Sequence, residues 1–139
     1  MRGPLNADVR CQLKVRVLAV SFGILSVAAL LTLFLMLYSA QWQVSLGHIG
    51  FMCWALIPYI MLALLIRSFG TRSRASRIAS LVASAASLGA AAFFYFDAVF
   101  VNVSSTSALI FLTGPVSLAV FAALVFGVIT VIGNMLFRS

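Results

Sequence analysis

Acidic residues are almost missing from this chain: two aspartates, Asp8 and Asp97, and no glutamate stand among its 139 residues. A pair of carboxylates, the usual apparatus of general acid–base or glycosidase chemistry, cannot be assembled inside an apolar segment from this inventory. Histidine is as scarce. His48 alone supplies neither bis-histidine haem ligation nor, without partners, a zinc site. The two cysteines form no CxxC: Cys11 lies in a basic N-terminal stretch and Cys53 within an apolar run, at different levels, so no disulfide between them is expected. No P-loop, Gly-rich nucleotide motif, GxSxG or HExxH occurs. The reading is therefore a non-catalytic protein with no cofactor and no metal.

Charge of either sign is also sparse, at 8%, whereas 64% of residues are hydrophobic. Soluble domains carry about 25% charged and roughly 45–50% apolar residues. A chain of this length could not hide so much apolar surface from water, so the expected class is an all-α integral membrane protein. The formal charge of +7 then reads as a topology signal and an attraction to anionic inner-leaflet lipids, not as a nucleic-acid-binding patch.

The nine basic residues support this assignment by where they fall. Arg2, Arg10, Lys14 and Arg16 precede the first apolar run; Arg67, Arg72, Arg74 and Arg77 fill the gap between the second and third; Arg138 follows the last. The other two gaps hold no Lys or Arg. Cationic residues beside membrane segments are retained on the cytoplasmic side. Four crossings follow, in an antiparallel bundle with both ends and the middle loop inside, and the bacterial inner membrane is the expected location. An arginine-rich cation set, eight of nine, agrees with a bacterial source.

The expected helices cover about 17–39, 48–66, 78–96 and 115–137, after a basic arm at 1–16. The first apolar run is too long for the core of a cleavable signal peptide and reads as a retained span. Pro58 is expected to kink the second helix. The last apolar stretch, 108–137, would measure about 45 Å as one helix, too long for an upright span. Gly114 and Pro115 are expected to break it near its outer end, with a continuous but kinked and tilted helix as the alternative.

Small residues mark the candidate contact faces. Ala79, Ala83, Ser87 and Ala91 recur every four residues on the third helix, which is rich in such residues, and Ala119, Ala123 and Gly127 form a similar stripe on the fourth. That spacing lets helix backbones approach closely, either within one bundle or against a partner. At the outer side, Gln41, Trp42, Gln43, His48, Asp97 and Asn102 form a candidate polar cluster. A His48–Asp97 pair there would favour the imidazolium; alternatively each residue marks the water boundary of its own helix. No Asp, Glu, Lys or Arg stands inside a span, which argues against proton-coupled transport. Ser80, Ser84 and Ser87 can bond to their own backbone instead of lining a pore, and Cys53, Trp54, Pro58 and Tyr59 are candidates for a cleft at mid-membrane.

In size and layout the chain looks like small bacterial four-helix membrane proteins, among them immunity proteins against pore-forming toxins and accessory subunits. Architecture of this kind does not assign function. The leading expectation is an interaction protein that binds another membrane protein or a toxin. A small homo-oligomeric channel or transporter is the alternative.

Overall fold

A backbone immersed in hydrocarbon has no water to bond with, so every N–H and C=O must find its partner within the segment, and a helix is the solution for a single crossing strand of chain. The computed structural model describes residues 5–42, 45–70, 72–101 and 107–136. Among them lie four α-helices, α1 (Leu5–Ser39), α2 (Leu46–Phe69), α3 (Arg74–Phe96) and α4 (Ser107–Leu136), with a π-helical turn, Asp97–Val101, continuing α3. All four are long and apolar enough to cross a membrane. The protein is an all-helical, multi-pass membrane protein. Arg2, Gln43, Asn102 and Arg138, named above, lie outside the described residues, as do position 137 and the side chains of Asp8 and Arg10.

Three boundaries differ from expectation. The basic arm is helical from Leu5, so arm and first span form one rod of about 52 Å. Helix α3 opens at Arg74 because Ser73 caps it: the Ser73 hydroxyl accepts the Ser76 N–H at 3.1 Å, and Ser76 Oγ accepts the Ser73 N–H at 2.9 Å. This reciprocal capping box stops the preceding turn one step before the apolar run. The expected Gly114–Pro115 break is absent; α4 runs unbroken through Pro115, as α2 does through Pro58. Proline removes one backbone donor and crowds the preceding turn. In α4 the Trp54 indole N–H, reaching across from α2, donates to the Leu112 carbonyl in that turn at 3.0 Å.

The helices are not arranged round the bundle in chain order. Helix α3 packs most extensively against α4 and α1, α2 packs against α4 and α1, and α2 and α3 scarcely touch. Inward positions step by three and four residues: Leu25, Ala28, Thr32 and Leu35 on α1; Ala55, Tyr59, Leu62 and Ile66 on α2; Leu118, Ala122 and Phe126 on α4. That is the knob spacing of closely packed helices. Between the two ends the large exposed side chains are apolar, among them Leu30 and Phe34 on α1, Ile60 and Leu64 on α2, and Val120 and Leu124 on α4, as a lipid-facing surface requires.

Specific contacts define two ends. Tyr38, near the end of α1, lies against Phe100 after the end of α3, with ring centres 5.5 Å apart. Trp54 and Leu112 join the early turns of α2 and α4. A Cβ on Gly114 would stand 4.0 Å from the Tyr95 hydroxyl, so the early part of α4 also meets the late part of α3. These contacts share one end, called here the aromatic end. Arg67 at the end of α2, Arg72 in the turn and Arg74 and Arg77 at the start of α3 lie at the other, together with Lys14 and Arg16 on α1.

Candidate functional site

Helix α3 packs closely on α1 and α4 through a buried face of mostly small residues. Ala79, Ala83, Ser87 and Ala91 are all buried, alongside Ser76, Ser80 and Ser84. This stripe therefore packs inside the bundle and presents nothing to an outside partner. Its serines return their protons to their own helix: Ser80 donates to Ser76 O at 2.8 Å, Ser84 to Ser80 O at 2.7 Å, and Ser87 to Ala83 O at 2.8 Å. Each hydroxyl is thereby satisfied without water or a neighbouring helix.

A buried polar contact also crosses between helices. Thr32 of α1 and Tyr59 of α2 meet oxygen to oxygen at 2.7 Å, and Thr32 also donates to Ala28 O at 2.9 Å. Tyr59 and Pro58 are thus core residues, whereas Cys53 and Trp54 are exposed on the apolar exterior. The four do not line a common cleft. Thr32 carried no motif in the sequence; its signal was an isolated hydroxyl one turn from a buried alanine.

The α2–α3 turn is tight for a reason that composition did not reveal. A Cβ added to Gly70 would stand 2.5 Å from both Ile66 O and Ser80 Oγ. Only glycine fits there, and the contact ties the arginine-bearing turn to α3. Arg72 is held in the same turn, its guanidinium carbon 4.5 Å from the centre of the Phe69 ring.

At the aromatic end α1 closes in an unusual way. Gln41 N–H donates to Tyr38 O and Trp42 N–H to Leu37 O, at 3.0 and 3.1 Å. This is the Schellman pattern, which normally places glycine at the left-handed position. Here Gln41 and Trp42 both adopt left-handed backbone, with φ of 49° and 60°. Non-glycine residues rarely do so, and each such residue costs about 1–3 kcal/mol. The outcome is a Trp42 side chain that is 61% exposed and packed edge-on against Phe34, ring centres 6.2 Å apart. Phe96 adds to the Tyr38–Phe100 pair at 4.7 Å from Phe100.

Of the expected polar cluster, Gln41, Trp42, His48 and Asp97 are among the described residues. His48 Nδ1 lies 2.7 Å from Ser45 Oγ, the cap of its own helix, and Ser45 also accepts the His48 backbone N–H at 3.4 Å. Its ring therefore has a partner in the N-cap of α2. Asp97 is half-buried within the π turn, its N–H shared between Phe93 O and Phe94 O. The two residues sit on α2 and after α3, the pair of helices that scarcely touch.

The second small-residue stripe has the opposite fate to the first. Ala123 is exposed and Ala119 and Gly127 half-exposed. Ala123, Gly127, Val128 and Val131 line an open apolar groove of about 410 Å³. A second groove of about 220 Å³ runs between α3 and α4, lined by Ala75, Ile78, Ile129, Gly133 and Leu136. Ile132 lines both.

Comparison of the chain with family models, curated proteins and solved structures returns no match. The class rests on the fold itself: a multi-pass helical membrane protein with an aromatic end and an arginine end.

Proposed function

We propose that this chain is a small inner-membrane protein of a bacterium, an antiparallel four-helix bundle with both termini and the α2–α3 turn in the cytoplasm. It acts without catalysis, by binding another membrane protein or a membrane-active toxin. An immunity protein and an accessory or assembly subunit both fit this description. The placement of arginines at one end supports the orientation.

The observation that carries the binding reading is the turn at Gln41 and Trp42. Two consecutive left-handed non-glycine residues hold a bulky aromatic outward. A turn optimised for stability alone would use glycine. Exposed, rigidly held Trp and Tyr are the residue types most enriched among the anchors of protein interfaces. Tyr38, Phe96 and Phe100 extend the same surface.

A photo-cross-linking residue in place of Trp42, activated in native membranes, tests this. One discrete adduct with a single protein is expected, and it should vanish when Phe100 is also replaced by Ala. Adducts spread over many abundant proteins would refute the reading. Ion or solute flux from liposomes holding the pure protein would then favour a small oligomeric channel or transporter.

A further inference from the structure

The aromatic end carries more ring surface than a single anchor needs. Phe34 and Tyr38 stand one turn apart on α1, so the Phe34–Trp42 pair adjoins the Tyr38–Phe100–Phe96 set. All five rings are exposed, from 48% at Phe100 to 61% at Trp42. The charge of the chain lies elsewhere. Residues 17–66 and 78–137 hold no Lys or Arg. Arg77, the cation nearest to these rings along α3, is nineteen residues or about 28 Å from Phe96. That is more than three times the screening length of about 8 Å at physiological salt. The +7 of the chain is therefore a property of the far end. The fields at this end come from the negative faces of the rings and from Asp97, which is half-buried and already engaged within the chain.

We infer that this five-ring surface receives a cationic segment of a protein partner, with an Arg or Lys side chain laid over the rings. The inference rests on the binding reading above and names the partner's chemistry. Charge complementarity selects it. An acidic segment would meet ring faces of its own sign, whereas a guanidinium or ammonium is drawn to them, and no cation of this chain competes for the place. A purely apolar segment would find nothing here to prefer over the rest of the lipid-facing exterior, which is equally apolar. A lipid ammonium has the right charge, but it does not call for two left-handed residues to hold Trp42 outward. A ring meant only for the headgroup region can stand on the helix itself, as Tyr38 does.

The test uses the full chain in neutral detergent micelles and two fluorescently labelled amphipathic peptides. Both have an apolar face of Leu; one carries Arg on its polar face and the other Glu. Fluorescence anisotropy, corrected for empty micelles, gives each affinity. The Arg peptide should bind about ten-fold more tightly than the Glu peptide. Trp42→Leu keeps an apolar side chain but removes the ring. It should lose about five-fold for the Arg peptide and nothing for the Glu peptide, and Trp42→Phe should recover part of that loss. Trp42 is exposed, so both variants should fold. Phe100→Leu, which leaves the left-handed turn untouched, should show the same selective loss. Lys14→Gln, at the far end, should change neither affinity. Equal affinity for the two peptides, or unchanged binding in Trp42→Leu, overturns the proposal. So does loss of the Arg preference when phosphatidylcholine is added to the micelles, since the rings would then belong to lipid ammonium groups. A single Trp42 adduct in native membranes without any Arg preference refutes the cationic chemistry and leaves the binding reading standing, so the two failures are distinguishable.

Discussion

Thr32 and Tyr59 allow a side-chain bond across the core to be weighed from both sides. The Thr32 hydroxyl has a single proton, and Ala28 O, 2.9 Å away, takes it. The proton on the 2.7 Å contact therefore belongs to Tyr59, and Thr32 accepts. The two deletions are then unequal. Tyr59→Phe removes the donor and leaves Thr32 still bonded to its own helix. It should cost about 0.6 kcal/mol, the mean for interhelical hydrogen bonds in a membrane bundle. Thr32→Val leaves the Tyr59 O–H buried without an acceptor, at about 1–3 kcal/mol. In the double variant neither polar group remains, so its cost should fall below that of Thr32→Val alone. The coupling in the cycle should then exceed the Tyr59→Phe cost itself, about 0.6 kcal/mol. Unfolding titrations with sodium dodecyl sulfate in mixed micelles, followed by far-ultraviolet circular dichroism, measure all three. Additivity within about 0.5 kcal/mol, or a Tyr59→Phe cost as large as that of Thr32→Val, would refute both the proton assignment and the burial argument.

Gly70→Ala should destabilise by about 1–3 kcal/mol in the same titration, because its methyl meets a carbonyl and a hydroxyl at 2.5 Å. Gly50→Ala, with nothing within 4 Å of the new Cβ, should instead be neutral or gain up to about 1 kcal/mol. Ala83→Leu places three extra carbons against a fully buried position of α3. The chain should still insert, since its hydropathy rises, but limited proteolysis should find an opened bundle; wild-type resistance would count against α3 as the tightly packed element. Gln41→Gly should raise stability by about 1 kcal/mol by relieving the left-handed backbone. An unchanged midpoint would mean that the turn stores no strain.

The number of helices and their class were legible because hydropathy over twenty residues is a strong signal. The bounds were less so. Leu5 to Arg16 is helical although its composition is polar, and α3 begins at Arg74 because a capping box, Ser-x-x-Ser, stands outside the apolar run. The break foreseen at Gly114–Pro115 failed for a physical reason. A proline inside a helix needs its disturbed turn supported, and here Trp54, fifty-eight positions earlier in the chain, donates into that turn. No local pattern contains such information. His48 was legible as a polar residue at a helix start, but its partner is its own cap, Ser45, and its distance from the π turn of Asp97 depends on which helices are neighbours. Short connections suggest that consecutive helices pair, and α2 and α3 do not.

The two small-residue stripes have equal spacing and different fates, and the difference follows from what stands beside each. On α3 the adjoining residues are small as well: Ser76, Ser80 and Ser84 lie next to Ala79 and Ala83, so a broad face is flat. On α4 the adjoining row, one residue earlier, carries Leu118, Ala122 and Phe126. A flat face gains most contact from a partner with knobs, so α4 turns Leu118 and Phe126 inward. Ala119, Ala123 and Gly127, about 100° further round the helix, are left facing outward. Hydrophobicity does not decide this, because lipid is as apolar as leucine; packing does. The same fit that closes the interior therefore leaves the groove at Ala123 and Gly127 on the exterior.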